Sequence, residues 1–250
     1  MIELNKSYNE DCLEGMKRIP DKSIDMILCD LPYGTTIAKW DEIINFNSLW
    51  EQYKRIIKDG GAIVLTASQP FTSKLIMSNI NWFKHEWIWK KNAGSNFGSV
   101  KYQPFKEHES VVVFSNKSVN YYPIMEERAE SGKSRVKTPV KYNTKTELVG
   151  STLHNEITSN RPDLRYPSSV QLFNRERGLH PTQKPVALFE YLIKTYTKKG
   201  ETVLDNCMGS GTTAIAAINT NRNFIGFEMD ENYHKLANER IEQHLNLIQE

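Results

Sequence analysis

The 250-residue sequence lacks several features that would identify other classes of protein. It has no apolar run long enough to span a membrane, and its acidic first residues are unlike a signal peptide. Its three cysteines, Cys12, Cys29 and Cys207, show neither paired nor zinc-site spacing, so we expect reduced, structural thiols and a cytoplasmic protein. The full phosphate-loop and dinucleotide fingerprints are also absent. The net charge of +2 is too small to indicate a polyanionic partner.

Strands and helices are predicted to alternate along most of the chain. The apolar run Ile24–Cys29 predicts a buried strand, and helical spacing of apolar residues follows over residues 46–58. We expect Asp59-Gly60-Gly61 to end that helix, with the next strand over residues 62–67. The alternation resumes from His180 to the C-terminus. This pattern predicts an α/β fold in which helices cover both faces of a mostly parallel sheet.

One segment, residues 116–179, breaks this alternation. It is polar and has no convincing period, and residues 131–146 contain five lysines and arginines but no acidic residue. A solvated loop is one interpretation, and phosphate contact with base stacking is the other. We therefore predict a core domain made of residues 1–115 and 180–250, with 116–179 inserted.

The first candidate site is Asp30-Leu31-Pro32-Tyr33, which directly follows the predicted strand Ile24–Cys29. Ligands of open α/β sheets bind in the crevice beyond the strand ends. The Asp30 carboxylate can accept hydrogen bonds there, and Tyr33 offers a flat ring to a planar ligand. A plain turn is the alternative, because Asp and Pro before a Gly are common in turns.

The second candidate site lies around Gly209-Ser210-Gly211, between a predicted strand and a predicted helix. Glycines at such a turn let the backbone approach a ligand closely. The next strand ends at Glu228, where a carboxylate suits hydrogen bonds to both ribose hydroxyls of a nucleoside. Together with Asp205, these residues favour a cofactor that carries a nucleoside.

In their order along the chain, these blocks resemble the amino-methylating DNA methyltransferases of the β, circularly permuted arrangement. That family has an Asp-Pro-Pro-Tyr loop, then a target-recognition region, then a glycine loop, as found here in Asp30–Tyr33, the insert and residues 208–213. Asn9-Glu10-Asp11-Cys12 and the segment from His180 to Pro185 also resemble family blocks at their expected places. Leu31 stands where proline is usual, but it keeps the backbone carbonyl that the family uses. Residues 206–208 lack the family's Pro-Phe approach to the glycines.

The resemblance implies a Rossmann-like S-adenosylmethionine-dependent methyltransferase fold with a small inserted target-recognition region. The cofactor would be S-adenosyl-L-methionine, leaving as S-adenosyl-L-homocysteine, with no metal. The substrate would be the N6 amino group of an adenine flipped out of DNA. Asp30 and the Leu31 carbonyl would accept hydrogen bonds from that amino group, on a loop stiffened by Pro32, and Tyr33 would stack on the base.

The resemblance also implies a set of residues that bind the cofactor. Asp11 would bind the adenine, Glu228 the ribose, and the glycine loop the methionine end, while Lys184 would help close the pocket. The full set is Asp11, Cys12, Asp30, Lys184, Asp205, Met208, Gly209, Ser210, Gly211, Thr212, Thr213 and Glu228. Simpler interpretations stay open for three of them, because Asp11 can cap a helix, Thr213 can begin one, and Lys184 can be a surface lysine.

Double-stranded DNA is the implied partner, with phosphates contacted by Lys133, Arg135, Lys137 and Lys141 of the insert. An insert of about 60 residues is small for reading a site alone, which favours a homodimer. A cognate restriction endonuclease and a bacterial or phage origin also follow from the resemblance. The alternatives are cytosine-N4 methylation, RNA or protein-glutamine methylation, and an inactive DNA-binding module. Asp30, where serine is commoner in cytosine-N4 enzymes, favours adenine.

Overall fold

The computed structural model describes residues 2–35, 41–136, 163–176 and 183–248, without the side chains of 134–136. These residues form two compact units, Met1–Tyr122 with Ser169–Glu250 and Pro123–Ser168. The described strands are β1 (Lys6–Asn9), β2 (Ile24–Cys29), β3 (Ile57–Ala67), β4 (Phe83–Lys90), β5 (His108–Phe114), β6 (Glu126–Glu127), β7 (Leu164–Arg165), β8 (Val170–Leu172), β9 (Thr202–Asp205) and β10 (Asn223–Glu228). The described helices are α1 (Cys12–Met16), α2 (Phe46–Ile56), α3 (Phe71–Ser78), α4 (Glu130–Val136), α5 (Val186–Tyr196), α6 (Thr212–Asn219) and α7 (Glu231–Leu247).

The first unit is built on an 8-stranded sheet in the order β1-β10-β9-β2-β3-β5-β4-β8. The neighbouring strands from β1 to β3 all pair in parallel, whereas β5 runs antiparallel to both β3 and β4. The carboxyl ends of five parallel strands therefore meet at one edge of the sheet, together with the amino end of β5. The predicted α/β fold with a mostly parallel sheet is confirmed.

Helices cover both faces of this sheet. Strand β2, which is apolar at nearly every position, is therefore buried on both sides. Ile27 and Cys29 contribute to one hydrophobic cluster, which includes side chains of α2 and α3. Met26 and Leu28 contribute to a second cluster, with side chains of α5, α6 and α7. Successive side chains of a strand point to opposite faces, so a continuous apolar run is buried twice.

The prediction that Asp59-Gly60-Gly61 ends a helix is wrong. Helix α2 ends at Ile56, and the chain turns to extended geometry at Ile57, so the three residues lie within β3. The β2–β3 register shifts at this point, between the pairs Ile24–Ile57 and Met26–Ala62. Gly60 has a φ of 76°, and a Cβ on Gly61 would lie 2.9 Å from the Asp25 carbonyl oxygen. The glycines thus permit a bulge next to a neighbouring strand.

The second unit contains the short antiparallel pair β6 and β7 and the helix α4. Arg165 lies 2.9 Å from Glu126 as an ion pair across that strand pair. Both boundaries of this unit fall inside residues 116–179, and β8, from the same segment, pairs with β4 of the large sheet. None of the described helices could cross a membrane, by length and hydropathy together.

Close packing of α1 on the sheet generates a stability prediction. A Cβ on Gly15 would lie 2.2 Å from the Phe227 ring, a side chain that is fully buried and has no room to move. We expect Gly15→Ala to lower the free energy of unfolding by about 1–3 kcal/mol, although alanine favours helix. Chemical denaturation measures this, and Gly98→Ala is the control because a Cβ there meets nothing within 4 Å. Equal effects at both positions would contradict the packing account.

Candidate active site

The strand ends of the first unit border a cavity of about 1340 Å³. Residues from the ends of β1, β2, β9 and β10 line it, together with the start of β5 and the segment before α5. The predicted residues that line it are Asp11, Cys12, Asp30, Leu31, Pro32, Tyr33, Lys184, Asp205, Met208, Gly209, Ser210, Thr212 and Glu228. Both predicted sites therefore open into one space.

Asp30 follows the last residue of β2, and three side chains donate hydrogen bonds to its carboxylate. Oδ1 accepts the Tyr33 hydroxyl at 2.7 Å and the Thr66 hydroxyl, while Oδ2 accepts the Lys184 ammonium. A carboxylate has about four acceptor positions. The described residues thus occupy both positions on Oδ1 and one on Oδ2, which leaves Oδ2 able to accept one further bond.

The loop after Asp30 is held by Asp41, a residue that the sequence analysis did not single out. Its carboxylate accepts hydrogen bonds from the backbone amides of Tyr33, Gly34 and Thr35 at 2.8 to 2.9 Å. The Tyr33 ring stacks on Phe71 with its centroid 5.1 Å away, so one of its faces is already covered. Burial and the Asp30 charge raise the pKa of the Tyr33 hydroxyl. The phenol therefore stays protonated and donates to Asp30.

Lys184 is not a surface lysine, since its side chain is only 6% exposed. Its ammonium binds Asp30, lies 3.5 Å from Glu109 Oε2, and sits 5.6 Å from the centre of the Tyr33 ring. Burial alone would lower the pKa of Lys184, but the charges of Asp30 and Glu109 outweigh it and raise that pKa. The side chain is therefore a buried cation.

The glycine loop is bound to the end of β10. Glu228 accepts hydrogen bonds from the Gly209 amide at 2.7 Å and from the Asp230 amide at 2.9 Å. Burial raises the pKa of Glu228, and these amide donors partly oppose that shift. Gly209 and Gly211 have φ values of 52° and 79°, in the left-handed region that favours glycine.

Gly211 and Thr213, two of the predicted cofactor residues, do not line the cavity. Gly211 is the N-cap of α6, and a Cβ there would lie 3.3 Å from the Ala237 side chain. Thr213 is fully buried, and its hydroxyl donates to Asp205 Oδ2. Both residues therefore stabilise the residues of the cavity wall without lining the cavity themselves.

Asp11 caps α1, as the simpler interpretation allowed. Its Oδ1 accepts hydrogen bonds from the amides of Leu13 at 2.8 Å and Glu14 at 3.2 Å. Asp11 also lines the cavity, so the capping role leaves it beside any ligand bound there.

The three cysteines lie close together, which their spacing did not indicate. Cys207 interacts with both Cys12 and Cys29, and the Asn206 amide lies 3.6 Å from the Cys12 sulfur. Hydrogen bonding to Cys207 and burial raise the pKa of Cys12, and burial raises the pKa of Cys29 to about 12. The thiols are therefore protonated and poorly nucleophilic.

The sequence analysis also missed a group of charged residues at the amino end of β5. Glu109 accepts a hydrogen bond from the buried Lys91, and Lys106 from the same loop donates to the Ser68 hydroxyl. These residues line the cavity beside Lys184. Finding them from sequence would have required the register of an antiparallel strand within a sheet predicted to be mostly parallel.

The hydrogen-bond acceptors that line the cavity fit S-adenosylmethionine. Carboxylates at Asp11, Glu228 and Asp205 suit the ribose hydroxyls, an amino group and a sulfonium charge, while no described residues form a cluster able to hold a metal ion. The same cavity also contains Asp30, so its lining residues can contact both a cofactor and a second substrate.

Asp205 generates a prediction on pH and stability. Burial raises its pKa from 3.8 to about 6, despite hydrogen bonds from Thr213 and the Cys207 amide. Between these two values the folded state binds more protons than the unfolded state, so the free energy of unfolding falls as the pH rises. Because asparagine does not titrate, the stability of Asp205→Asn relative to wild type should rise by about 2 kcal/mol from pH 4 to pH 7.

Urea denaturation at the two pH values measures this difference. Asp21→Asn changes the net charge equally at a side chain that is 71% exposed, and so serves as the control. A relative stability of Asp205→Asn that is the same at both pH values would show that Asp205 is not the titrating group.

Comparison with known proteins gives one family. The sequence model of the N6- and N4-type family described as DNA methylase matches residues 24–239. The Type II methyltransferase M.HpaI of Haemophilus parainfluenzae is 27% identical over 250 residues, covering 94% of this chain and 74% of the relative. M1.MboII of Moraxella bovis is 27% identical over 265 residues, covering 95% and 96%.

Solved structures of the same fold were also found. The M1.HpyAVI–SAM complex has a TM-score of 0.61 at 23% identity, covering 94% of this chain and 98% of that one. The cytosine-N4-specific PvuII DNA methyltransferase has a TM-score of 0.66 at 17% identity, covering 98% and 93%. The family match spans most of the chain, so this chain belongs to the DNA methylase family as an S-adenosylmethionine-dependent, site-specific DNA methyltransferase.

Proposed function

We propose that the enzyme methylates the N6 amino group of adenine and that Asp30 and Leu31 bind this group directly. The observation that carries this proposal is the Asp30 carboxylate, fixed by three donors but with acceptor capacity left on Oδ2. The Leu31 carbonyl is the neighbouring acceptor on the same loop. Bound S-adenosylmethionine supplies an activated methyl group.

An exocyclic amino group is a poor nucleophile because its lone pair is delocalised into the ring. Hydrogen bonds from its two N–H groups to Asp30 Oδ2 and the Leu31 carbonyl would turn the lone pair towards the methyl group. The carboxylate would also stabilise the positive charge that develops on nitrogen. The base must leave the duplex to reach these acceptors, and this costs a few kcal/mol. Packing beside Pro32 and Tyr33, which both line the cavity, would offset that cost.

The remaining residues would hold the cofactor. Glu228 would accept both ribose hydroxyls, since each of its oxygens has used one acceptor position on a backbone amide. Asp11 would accept from the adenine amino group, and Asp205 from the methionine end. Met208, Ser210, Thr212 and Cys12 also line the cavity. Gly211 and Thr213 would act indirectly, by shaping the glycine loop and orienting Asp205.

The inserted segment 116–179 would read the DNA target. Lys133, in α4, forms an ion pair with Glu130 at 2.6 Å and is partly exposed, while Lys137, Lys141 and the side chain of Arg135 lie outside the described residues. Phosphate contacts from these four residues would give affinity without sequence information. The proposal includes a homodimer, a cognate restriction endonuclease, and a cytoplasmic setting in a bacterium or its phage.

Cytosine-N4 methylation is the second candidate, because the PvuII enzyme of that specificity shares the fold. A likeness at 17% identity bears on the fold alone, and Asp30, rather than serine, favours adenine. The order of the blocks, in which the glycine loop comes last, argues against RNA or protein-glutamine methylation.

The test of the target base uses labelled S-adenosylmethionine and unmethylated genomic DNA. After digestion to nucleosides, we expect label in N6-methyladenine, and we expect Asp30→Ala to lose activity by about a hundredfold or more. Asp30→Asn keeps the shape of the side chain and should still bind the cofactor while remaining inactive. Label in N4-methylcytosine would overturn the base assignment, and an active Asp30→Asn enzyme would overturn the role of Asp30.

The four basic residues of the insert generate a separate prediction. Replacing Lys133, Arg135, Lys137 and Lys141 with alanine should weaken DNA binding. It should also reduce the slope of the logarithm of the binding constant against the logarithm of the salt concentration by roughly 3 to 4. Fluorescence anisotropy across a salt series measures this slope, and cofactor affinity should not change. Alanine at Lys6, Lys17, Lys22 and Lys58, which lie outside the insert, gives a matched loss of charge. An equal slope change in that control would remove the special role of the insert.

A further inference from the structure

We propose that Glu109 is a positioning residue for methyl transfer, which holds the Lys184 ammonium in place so that Lys184 orients the Asp30 carboxylate. This inference rests on the proposed role of Asp30. Glu109 lies at the amino end of the antiparallel strand β5, far in sequence from the blocks that identify the family.

Glu109 is bound differently on its two oxygens. Oε1 accepts a hydrogen bond from Lys91, whose side chain is 5% exposed, and Oε2 lies 3.5 Å from the Lys184 nitrogen. Among the described residues, no donor forms a hydrogen bond to Oε2 itself, although that atom is buried. An unsatisfied buried carboxylate oxygen is costly, and the charge of the Lys184 ammonium 3.5 Å away offsets part of that cost. Asp30, Lys184, Glu109 and Lys91 thus form a row of alternating charge.

The row matters because Lys184 controls which acceptor position of Asp30 stays open. Thr66 and Tyr33 both bind Oδ1, so Lys184 supplies the described contact to Oδ2, the oxygen assigned to the substrate amino group. A lysine side chain has four rotatable bonds, so contact with one carboxylate alone does not fix the position of its ammonium group. Glu109 provides a second negative group from a different strand, so the ammonium is held between two fixed points.

The buried ion pair with Lys91 suggests a purely structural role as the alternative. Two substitutions separate these roles. Glu109→Gln removes the charge but keeps an oxygen that can accept from Lys91, whereas Lys91→Met removes that partner and leaves Glu109 facing Lys184. If Glu109 only balanced the charge of Lys91, both substitutions would alter the enzyme in the same way.

The pH dependence of kcat gives the sharpest measurement. The titratable or charged groups that line the cavity beside Lys184 are Asp30, Tyr33, Glu109, Lys91, Lys106, Arg175 and Glu176. Loss of the Glu109 charge makes the Lys184 cation easier to deprotonate, so the alkaline limb of kcat in Glu109→Gln should move to lower pH. Lys91→Met removes a neighbouring cation, so its alkaline limb should stay in place or move to higher pH.

At neutral pH, Glu109→Gln should lower kcat by roughly ten- to a hundredfold, because a misplaced catalytic group is costly even when binding is intact. The KM values for S-adenosylmethionine and DNA should stay within about twofold of wild type, as expected for an interaction made mainly in the transition state. Glu109→Asp restores the charge and should return the alkaline limb to its wild-type position. Glu107→Gln, the same change at an exposed side chain two residues away, should leave kcat unaltered.

The outcomes also separate this inference from the proposed function. An inactive Asp30→Asn with a fully active Glu109→Gln would overturn the role of Glu109 alone, while an active Asp30→Asn would overturn the role of Asp30. Equal shifts of the alkaline limb in Glu109→Gln and Lys91→Met would assign Glu109 a structural role. Thermal denaturation of each variant checks that it is folded under the assay conditions, and Glu109→Asp remains informative if Glu109→Gln is not.

Discussion

The ion pair between Lys184 and Asp30 joins two parts of the chain that are 154 residues apart. Both groups are largely buried, and each stabilises the other, because desolvation of an isolated charge costs several kcal/mol. The pair therefore requires that the segment before α5 packs onto the end of β2. The sheet meets this requirement by placing β2 directly beside β9, with Met26 opposite Val203 and Ile27 opposite Leu204. A permuted order of blocks thus still produces one continuous site.

The cavity has two electrostatic ends. Acidic side chains line the end formed by β1, β9 and β10, where a cofactor with a positively charged sulfur would lie. Lysines and Arg175 line the other end, beside the start of β5, together with Glu109 and Glu176. Asp30 lies between the two ends, at the point where the methyl group would be transferred.

Periodicity and motif order were sufficient for much of this arrangement. The run of apolar residues in β2 required burial on both faces, and the parallel strands brought Asp30, Asp205 and Glu228 to one edge of the sheet. The assignments that failed or were missed depend on contacts distant in sequence. Whether Gly60 and Gly61 end a helix or form a bulge depends on the neighbouring strand β2, which local pattern does not specify. Glu109 and Lys91 came together only because β5 runs against its neighbours.

The second unit begins after Tyr122, whose amide donates to the Thr195 carbonyl at 2.8 Å, and the chain returns to the sheet at β8. Both ends of the intervening segment thus attach to residues that are fixed within the first unit by backbone hydrogen bonds, which do not depend on the side chains of that segment. Replacement of that segment by one of different length and sequence would leave the attachment points intact. Under the role proposed for the insert, an enzyme built this way would acquire a new target preference through recombination within that segment, while its reaction chemistry would be inherited unchanged.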